Sequence, residues 1–301
     1  MKYYNEIKSK LIDNEVYKKV KDYSKNRNDL STYYEVGKLL IKAQGGEERA
    51  KYGDNLIKEY SERLFNDTGR KYNITALKRI RQFYLVVEKG VPLAHQLTWS
   101  HYCELLPLKD INEINYYIKT TMEQCLSKRQ LRERIRNKEY QRLDDKTKLK
   151  LINKEEIDIK DNIKNPIIIK NKLDIDKEIV SEKILQRLIL EDIPSFLEEL
   201  GTGYSFIKNE YKIKIGERYN YIDLLLFNIE YNCYVVIELK VTELKKEHIG
   251  QIQIYMNYID NSLRKLTQDK TIGLIICKKD NKYVIEYSSD KRILSREYEL
   301  I

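Results

Sequence analysis

Over the first 140 residues apolar side chains return every third or fourth position, the spacing of one buried helix face. Leu30, Tyr33, Tyr34, Val36, Leu40 and Ile41 form one such run, and Leu56, Ile57, Tyr60 and Leu64 a second. Leu77, Ile80, Phe83, Tyr84 and Val87 make a third, and Ile111, Ile114, Tyr117 and Ile118 a fourth. Glycines at 45–46, 69 and 90 mark the breaks. Thr75 is expected to cap the helix that opens at Ala76, and Ser127 the basic helix after it. From 141 to 178 the periodicity decays into charged, Asn-rich sequence with a strand-like burst at 167–169. This stretch reads as a charged linker with room for a docking segment. From 179 the pattern changes again. One helix is expected over 179–200, bent near Pro194 and stopped by Gly201 and Gly203. Strand-like runs follow at 211–215, 219–227, 233–240, 272–277 and 283–287, with a helix over 247–263. The order α-β-β-β-α-β-β predicts a compact α/β unit with a mixed sheet. The chain is therefore expected to be α+β overall: an all-α domain over 1–140, the linker 141–178, and the α/β domain over 179–301.

A length of 301 residues accommodates two such domains. The formal net charge of +9 favours a polyanionic partner, of which nucleic acid is the usual one; lysine-rich composition alone produces the same balance. Tyrosine, with 25 residues against five Phe and one Trp, takes over much of the aromatic core. Trp99 is expected to anchor the first domain. The four cysteines form no CxxC pair and read as reduced. His101, Cys103 and Cys125 are a conceivable zinc set, but at no usual ligand spacing. The polar opening MKYYNEIKSKLIDNEVY is unlike a signal peptide. No run of about 18 apolar residues suggests a membrane span, so a cytoplasmic location is expected. No Walker-type phosphate loop is present.

The chemistry concentrates on two strands. If 219–227 and 233–240 form a hairpin turning between Glu230 and Tyr231, Asp223 falls opposite Glu238. Their Cβ atoms would then lie about 5 Å apart. Lys240, two residues on, shares the face of Glu238, while Val235, Ile237 and Leu239 form the other. Two carboxylates so close repel unless a cation lies between them. Mg²⁺ suits such a site, since it binds through one or two carboxylates and leaves room for phosphate oxygens. Lys240 would position the attacking water or stabilise developing charge. The alternative for the same residues is a charged patch in which Asp223 pairs with Lys240. Gln251 and Tyr255 share a helix face at spacing four and are placed to support the site. His248 is expected in solvent.

Ile222-Asp223-Leu224-Leu225, Glu238-Leu239-Lys240, Gly250-Gln251 with Tyr255, and the strand 272–277 together resemble the PD-(D/E)XK nuclease domain of the bacterial YhcG type. YYEVGKLL, LKRIRQFY and QLTWSHYCELL resemble helices of that family's N-terminal domain, so the resemblance runs through nearly the whole chain. It implies a restriction-endonuclease-like second domain and a winged-helix-like first one. It also implies a Mg²⁺-dependent deoxyribonuclease, with Mn²⁺ able to substitute, acting on foreign or branched DNA. Asp223 and Glu238 would bind metal, Lys240 would be catalytic, and Gln251 would complete the site. The chain departs from the family at Gln186, where an acid is expected, leaving Glu182 or Glu191 as the further acid. It departs again at Glu210, where relatives are expected to carry Gln. A module that binds DNA or protein and cuts weakly, or only with a partner, is the alternative.

In the first half, 55–64 and 76–87 suggest a helix-turn-helix pair, with Lys78, Arg79 and Arg81 near the start of the second helix to meet DNA. Arg129, Arg132 and Arg136 belong to a second basic stretch suited to backbone phosphates. A solvated basic face is the equal alternative for both. Partners left open are a second copy of the chain and proteins of a defence system.

Overall fold

The computed structural model describes residues 3–19, 25–46, 54–69 and 72–301. The chain divides into two units, Met1–Tyr140 and Gln141–Ile301.

The described residues of the first unit form helices α1 (Tyr4–Lys19), α2 (Lys25–Ala43), α3 (Asp54–Thr68), α4 (Ile74–Glu88), α5 (Trp99–Leu105), α6 (Ile111–Glu123) and α7 (Lys128–Arg136). No strand occurs among them, so the winged part of the expectation has no counterpart there. Leu30, Val36 and Leu40 on α2 and Leu77, Ile80 and Phe83 on α4 are buried, as their spacing requires. The two helices approach so closely at Gly37 that a Cβ there would stand 2.6 Å from the Ile80 carbonyl oxygen. Trp99 packs against Tyr33 and Phe83, in keeping with an anchoring role. Helix α4 opens one residue pair earlier than expected: Asn73, not Thr75, accepts the Ala76 N–H. Ser127 does cap α7, accepting the Gln130 N–H in a capping box.

The second unit begins at Gln141 and takes in the whole stretch expected to be a linker, and that expectation is corrected. It contains α8 (Asp145–Asn153) and β1 (Ile167–Ile169), and β1 pairs in parallel with the last strand of the sheet. Ile159, Ile163, Ile167 and Ile169 enter the core. The charges that made the segment look solvated are partnered instead. Arg142 is held by Glu199 and the Pro166 carbonyl, and Lys150 by Asp161. Lys164 donates to the Glu199 carbonyl oxygen.

The single helix expected over 179–200 is two, α9 (Glu182–Glu191) and α10 (Ile193–Leu200). Asp192 ends the first and caps the second by accepting the Ser195 N–H, and Pro194 lies in the first turn, where its missing N–H costs nothing. The long strands β2 (Tyr204–Ile215), β3 (Arg218–Asn228) and β4 (Cys233–Glu243) follow, then α11 (Lys246–Ser262) and β5 (Ile272–Lys279). Residues expected as the final strand form the short helix α12 (Lys282–Glu286), and the true last strand is β6 (Ile293–Leu300). Its Arg296 and Glu297 disguise it. Arg296 is buried, donating to the Ile163 carbonyl oxygen, and the Glu297 carboxylate accepts the Asp280 N–H.

The sheet runs β1-β6-β5-β4-β3-β2. β2, β3 and β4 are antiparallel, while β4, β5, β6 and β1 are parallel, giving the mixed α/β sheet expected. One face packs Leu224, Leu226, Val235, Ile237 and Leu239 against α9 and α10. The other packs Leu225, Val236 and Ile275 against Ile252, Met256 and Ile259 of α11. Among the described residues no helix is long and apolar enough to cross a membrane.

Candidate active site

The hairpin of β3 and β4 has the register that the short polar turn predicts: Leu224 pairs with Ile237 and Asn228 with Cys233. One more step sets Asp223 opposite Glu238. There the regular ladder gives way, because the Leu239 N–H donates to the Asp223 carboxylate at 2.7 Å. The Asp223 carbonyl oxygen accepts instead from the Gln186 side chain on α9, at 3.0 Å. Asp223 is thus fixed at both its backbone and its carboxylate. Gln186, noted in the sequence only as a missing acid, is the residue that holds it.

Glu238 and Lys240 alternate with the apolar Ile237 and Leu239, so they share the face of Val236. Glu238 is 2% exposed, yet only one of its carboxylate oxygens is satisfied. Oε1 accepts from Lys240 Nζ at 2.9 Å, while Oε2 is buried with no hydrogen-bond partner. Burial, then the nearby Asp223, push the Glu238 carboxyl up to about 7 against the pull of Lys240. Burial also raises Asp223, opposed by the Leu239 N–H and by Lys240. For Lys240 burial alone would favour the neutral amine. Glu238, Glu182 and Asp223 outweigh it and keep the ammonium above its ordinary range. The simple alternative of an Asp223–Lys240 pair is not what forms: Lys240 bonds Glu238 and lies 3.6 Å from Glu182.

Of the two further acids, α9 presents Glu182 and turns Glu191 away. Nine residues separate them, two and a half turns, which is opposite sides of the helix. Glu191 pairs with Arg187 instead. Gln251 and Tyr255 do share a face of α11, the Gln251 amide donating to the Tyr255 hydroxyl at 3.1 Å. Tyr255 feels the charges of Glu238, Asp223 and Lys240, so this face looks toward the site. Gln251 itself bonds Tyr255 and neither acid. His248 is half-buried rather than in solvent. Burial and the Lys240 charge lower its pKa, and its Nδ1 accepts the Lys245 N–H. Glu210 lies opposite Asp223 on β2, between the pairs Asn209–Leu224 and Tyr211–Ile222.

A divalent cation fits this donor set. The charge of Asp223 reaches the Glu238 carboxyl, which carries a buried oxygen without a hydrogen-bond partner, a costly arrangement for the ionised form unless a cation completes it. Among the described residues no cluster of three or more His, Cys, Asp or Glu forms a ready cage, and His101, Cys103 and Cys125 make no zinc site. Asp223 and Glu238 are the carboxylates that would hold such an ion.

The basic residues of the first unit divide. Arg81 turns to Gln44, and Arg132 is held by both carboxylate oxygens of Glu104. Arg79, Arg129 and Arg136 are exposed, and Lys78 is half-buried.

The chain resembles the Escherichia coli (strain K12) protein named "Putative nuclease YhcG", with 26% identity over 90% of this chain and 83% of that one. Two solved structures give weaker likenesses. One is a repair endonuclease from Pyrococcus abyssi, at 17% identity and TM-score 0.28 over 40% of this chain. The other is an EndoMS–dsDNA complex, at 20% identity and TM-score 0.29 over the same share. The chain spans 47% and 44% of their lengths, less than half of either. Residues 160–301 match the YhcG PDDEXK nuclease domain and residues 9–142 the DUF1016 N-terminal domain. The second unit thus carries a YhcG PDDEXK nuclease domain and the first a DUF1016 N-terminal domain.

Proposed function

We propose that the second unit is a divalent-metal-dependent endonuclease that hydrolyses phosphodiester bonds of DNA, foreign or branched, in the cytoplasm. The observation that carries the reading is the buried, unpartnered Oε2 of Glu238 beside Asp223 and a charged Lys240. Asp223 and Glu238 would hold Mg²⁺ or Mn²⁺, which when bound supplies Lewis acidity and neutralises charge at the phosphate. Lys240 keeps its proton and offers an ammonium where negative charge develops on the phosphate oxygens. Glu182 helps hold that ammonium charged. Gln186 and the Leu239 N–H fix Asp223, so it need not reorganise when substrate arrives. Gln251 and Tyr255 line the approach from α11. The exposed Arg79, Arg129 and Arg136, with Lys78, are proposed to hold backbone phosphates.

Purified protein is incubated with supercoiled plasmid and Mg²⁺ or Mn²⁺, beside EDTA and Asp223→Ala controls. Metal-dependent nicking is expected, with the variant slower by roughly 10³-fold or more and Lys240→Ala by about 10²- to 10³-fold. Nicking that survives EDTA or the Asp223 substitution rejects the assignment. A second reading, a binding module that cuts weakly or only with a partner, is favoured by Gln186, an amide where the family resemblance calls for an acid. Tight DNA retention without nicking in either metal is its signature.

A further inference from the structure

The hairpin of β2 and β3 continues past the rungs that β3 shares with β4. The β3–β4 pairing stops at Leu224, whereas β2 and β3 stay paired out to Ile215 and Arg218. In this extension Lys212 lies opposite Tyr221 and Lys214 opposite Tyr219, and strand alternation puts all four on one face. The other face carries Ile213 and Ile222, both buried in the core beneath α11. On the first face Tyr219 and Tyr221 are 57% and 51% exposed. The Lys212 ammonium lies 3.8 Å from the centre of the Tyr219 ring. Arg218 and Glu217 are at the tip, and Glu210 is at the inner end, opposite Asp223. Tyr221 is two residues from Asp223 on the same strand; Ile222 and Leu225 both pack beneath α11, so the strand switches faces between them and the tyrosine face adjoins the site along the strand.

Lysines on an exposed edge strand discourage pairing with another chain, which accounts for Lys212 and Lys214. It does not account for two half-exposed aromatic rings beside them. Exposed tyrosines interleaved with lysines on a β surface are the chemistry of a stacking platform, where rings take bases and ammonium groups take phosphates. A ring on such a surface reaches the flat face of a base only when that base is unpaired. Residues two apart on a strand stand about 6.8 Å apart, two base steps of about 3.4 Å.

We propose that the Lys212, Lys214, Tyr219 and Tyr221 face of the β2–β3 hairpin is a platform for unpaired nucleotides of the DNA strand beside the cleavage site. The protein then prefers DNA with a single-stranded stretch next to the cut, such as a flap, gap or branch point, over blunt duplex. This rests on the nuclease reading above and names the form of its substrate.

The test is binding by the full-length protein in EDTA, so that nothing is cut. Fluorescence anisotropy compares a single-stranded oligonucleotide with a blunt duplex of equal length. Tyr219→Ala with Tyr221→Ala should weaken single-strand binding by about 10- to 100-fold and duplex binding by less than about threefold. Tyr219→Phe with Tyr221→Phe keeps the rings and should bind the single strand like the parent, which separates stacking from any fault in folding. Lys212→Ala with Lys214→Ala should weaken both substrates and shallow the salt dependence by about two charges. An alanine pair that binds single strands normally, or loses both substrates equally while the phenylalanine pair does the same, overturns the platform. If plasmid nicking persists in that case, the nuclease reading stands without it. A parent protein that neither cuts nor binds DNA removes both.

Discussion

Two buried acids of the second unit, Glu238 and Asp260, have opposite surroundings. Asp260 is saturated. One oxygen accepts from the Thr271 N–H at 2.9 Å and the Thr271 hydroxyl at 2.7 Å, and the other from Arg292 at 2.7 Å. Burial opposes its charge, but these donors win and hold the carboxyl below its ordinary value. Glu238 has one donor for two oxygens and feels the charge of Asp223, and burial with that charge pushes its carboxyl up to about 7. A structural acid is finished by its own protein, whereas Glu238 keeps a buried oxygen that no donor of the protein reaches. Burial alone would not have told the two apart.

The largest effect expected from this contrast is a reversal of sign between two substitutions. Glu238→Gln removes a buried charge that the metal-free fold holds at a cost. Urea melts without metal at pH 8 should show stability rising by on the order of 2 kcal/mol, while nicking falls by roughly 10³-fold. Asp260→Ala strips Thr271 of its acceptor and leaves Arg292 with Asp290 alone of its two carboxylates. It should cost roughly 3 kcal/mol and leave nicking per folded molecule within about threefold. Loss of stability in both variants would erase the distinction between them.

The pH dependences should also run in opposite directions. Glu238 is raised from 4.5 to about 7, so between those values the folded state keeps a proton that the unfolded chain has released. Its contribution to stability is full below about 4.5 and is lost as pH rises through about 7. Asp260 is lowered from 3.8, so its contribution is present above 3.8 and is lost as pH falls through the lowered value. The metal-free protein should therefore lose stability from pH 5 to pH 8 by an amount that Glu238→Gln reduces, since Glu238 is the group raised to about 7. Mg²⁺ requires the ionised carboxylate, so binding near pH 6.5 should release about one proton per ion. Calorimetry in two buffers of different ionisation heat measures this. Binding with no proton release would mean that Glu238 is already ionised or takes no part.

The D…ExK hairpin was legible because a short polar turn and strict alternation leave one register for Asp223 and Glu238. The helix spacing of the first unit was equally open, down to Ser127 as a cap. What stayed hidden was polar sequence that is structural. The 141–178 segment reads as solvated until Arg142 meets Glu199 and Lys150 meets Asp161. β6 carries a buried arginine whose partner, the Ile163 carbonyl, lies 133 residues away. The strand expected at 283–287 has alternating residues but leaves Tyr283 exposed on a short helix and Tyr287 exposed at its C-cap. The part played by Gln186 was also out of reach, since it acts through a backbone carbonyl that no side-chain motif records. Periodicity reports which residues face inward; it does not report which charges find partners there.

Glu210 offers the smallest and most discriminating change. It stands opposite Asp223 with a left-handed backbone, φ 47°, a conformation uncommon for a residue with a Cβ. Its charge adds to those that raise Asp223. Unlike Glu238 it is exposed, so water screens it and it need not be a metal ligand to matter. Glu210→Gln places at this position the residue that relatives are expected to carry. It removes one negative charge from the field around the site, so Mg²⁺ should bind about two- to fivefold more weakly. Nicking at saturating metal should stay within about twofold, because Asp223, Glu238 and Lys240 are untouched. A metal titration of the nicking rate separates these two quantities. If saturating metal fails to restore the rate, Glu210 acts in the chemistry itself, and the incomplete acid pair has a third member.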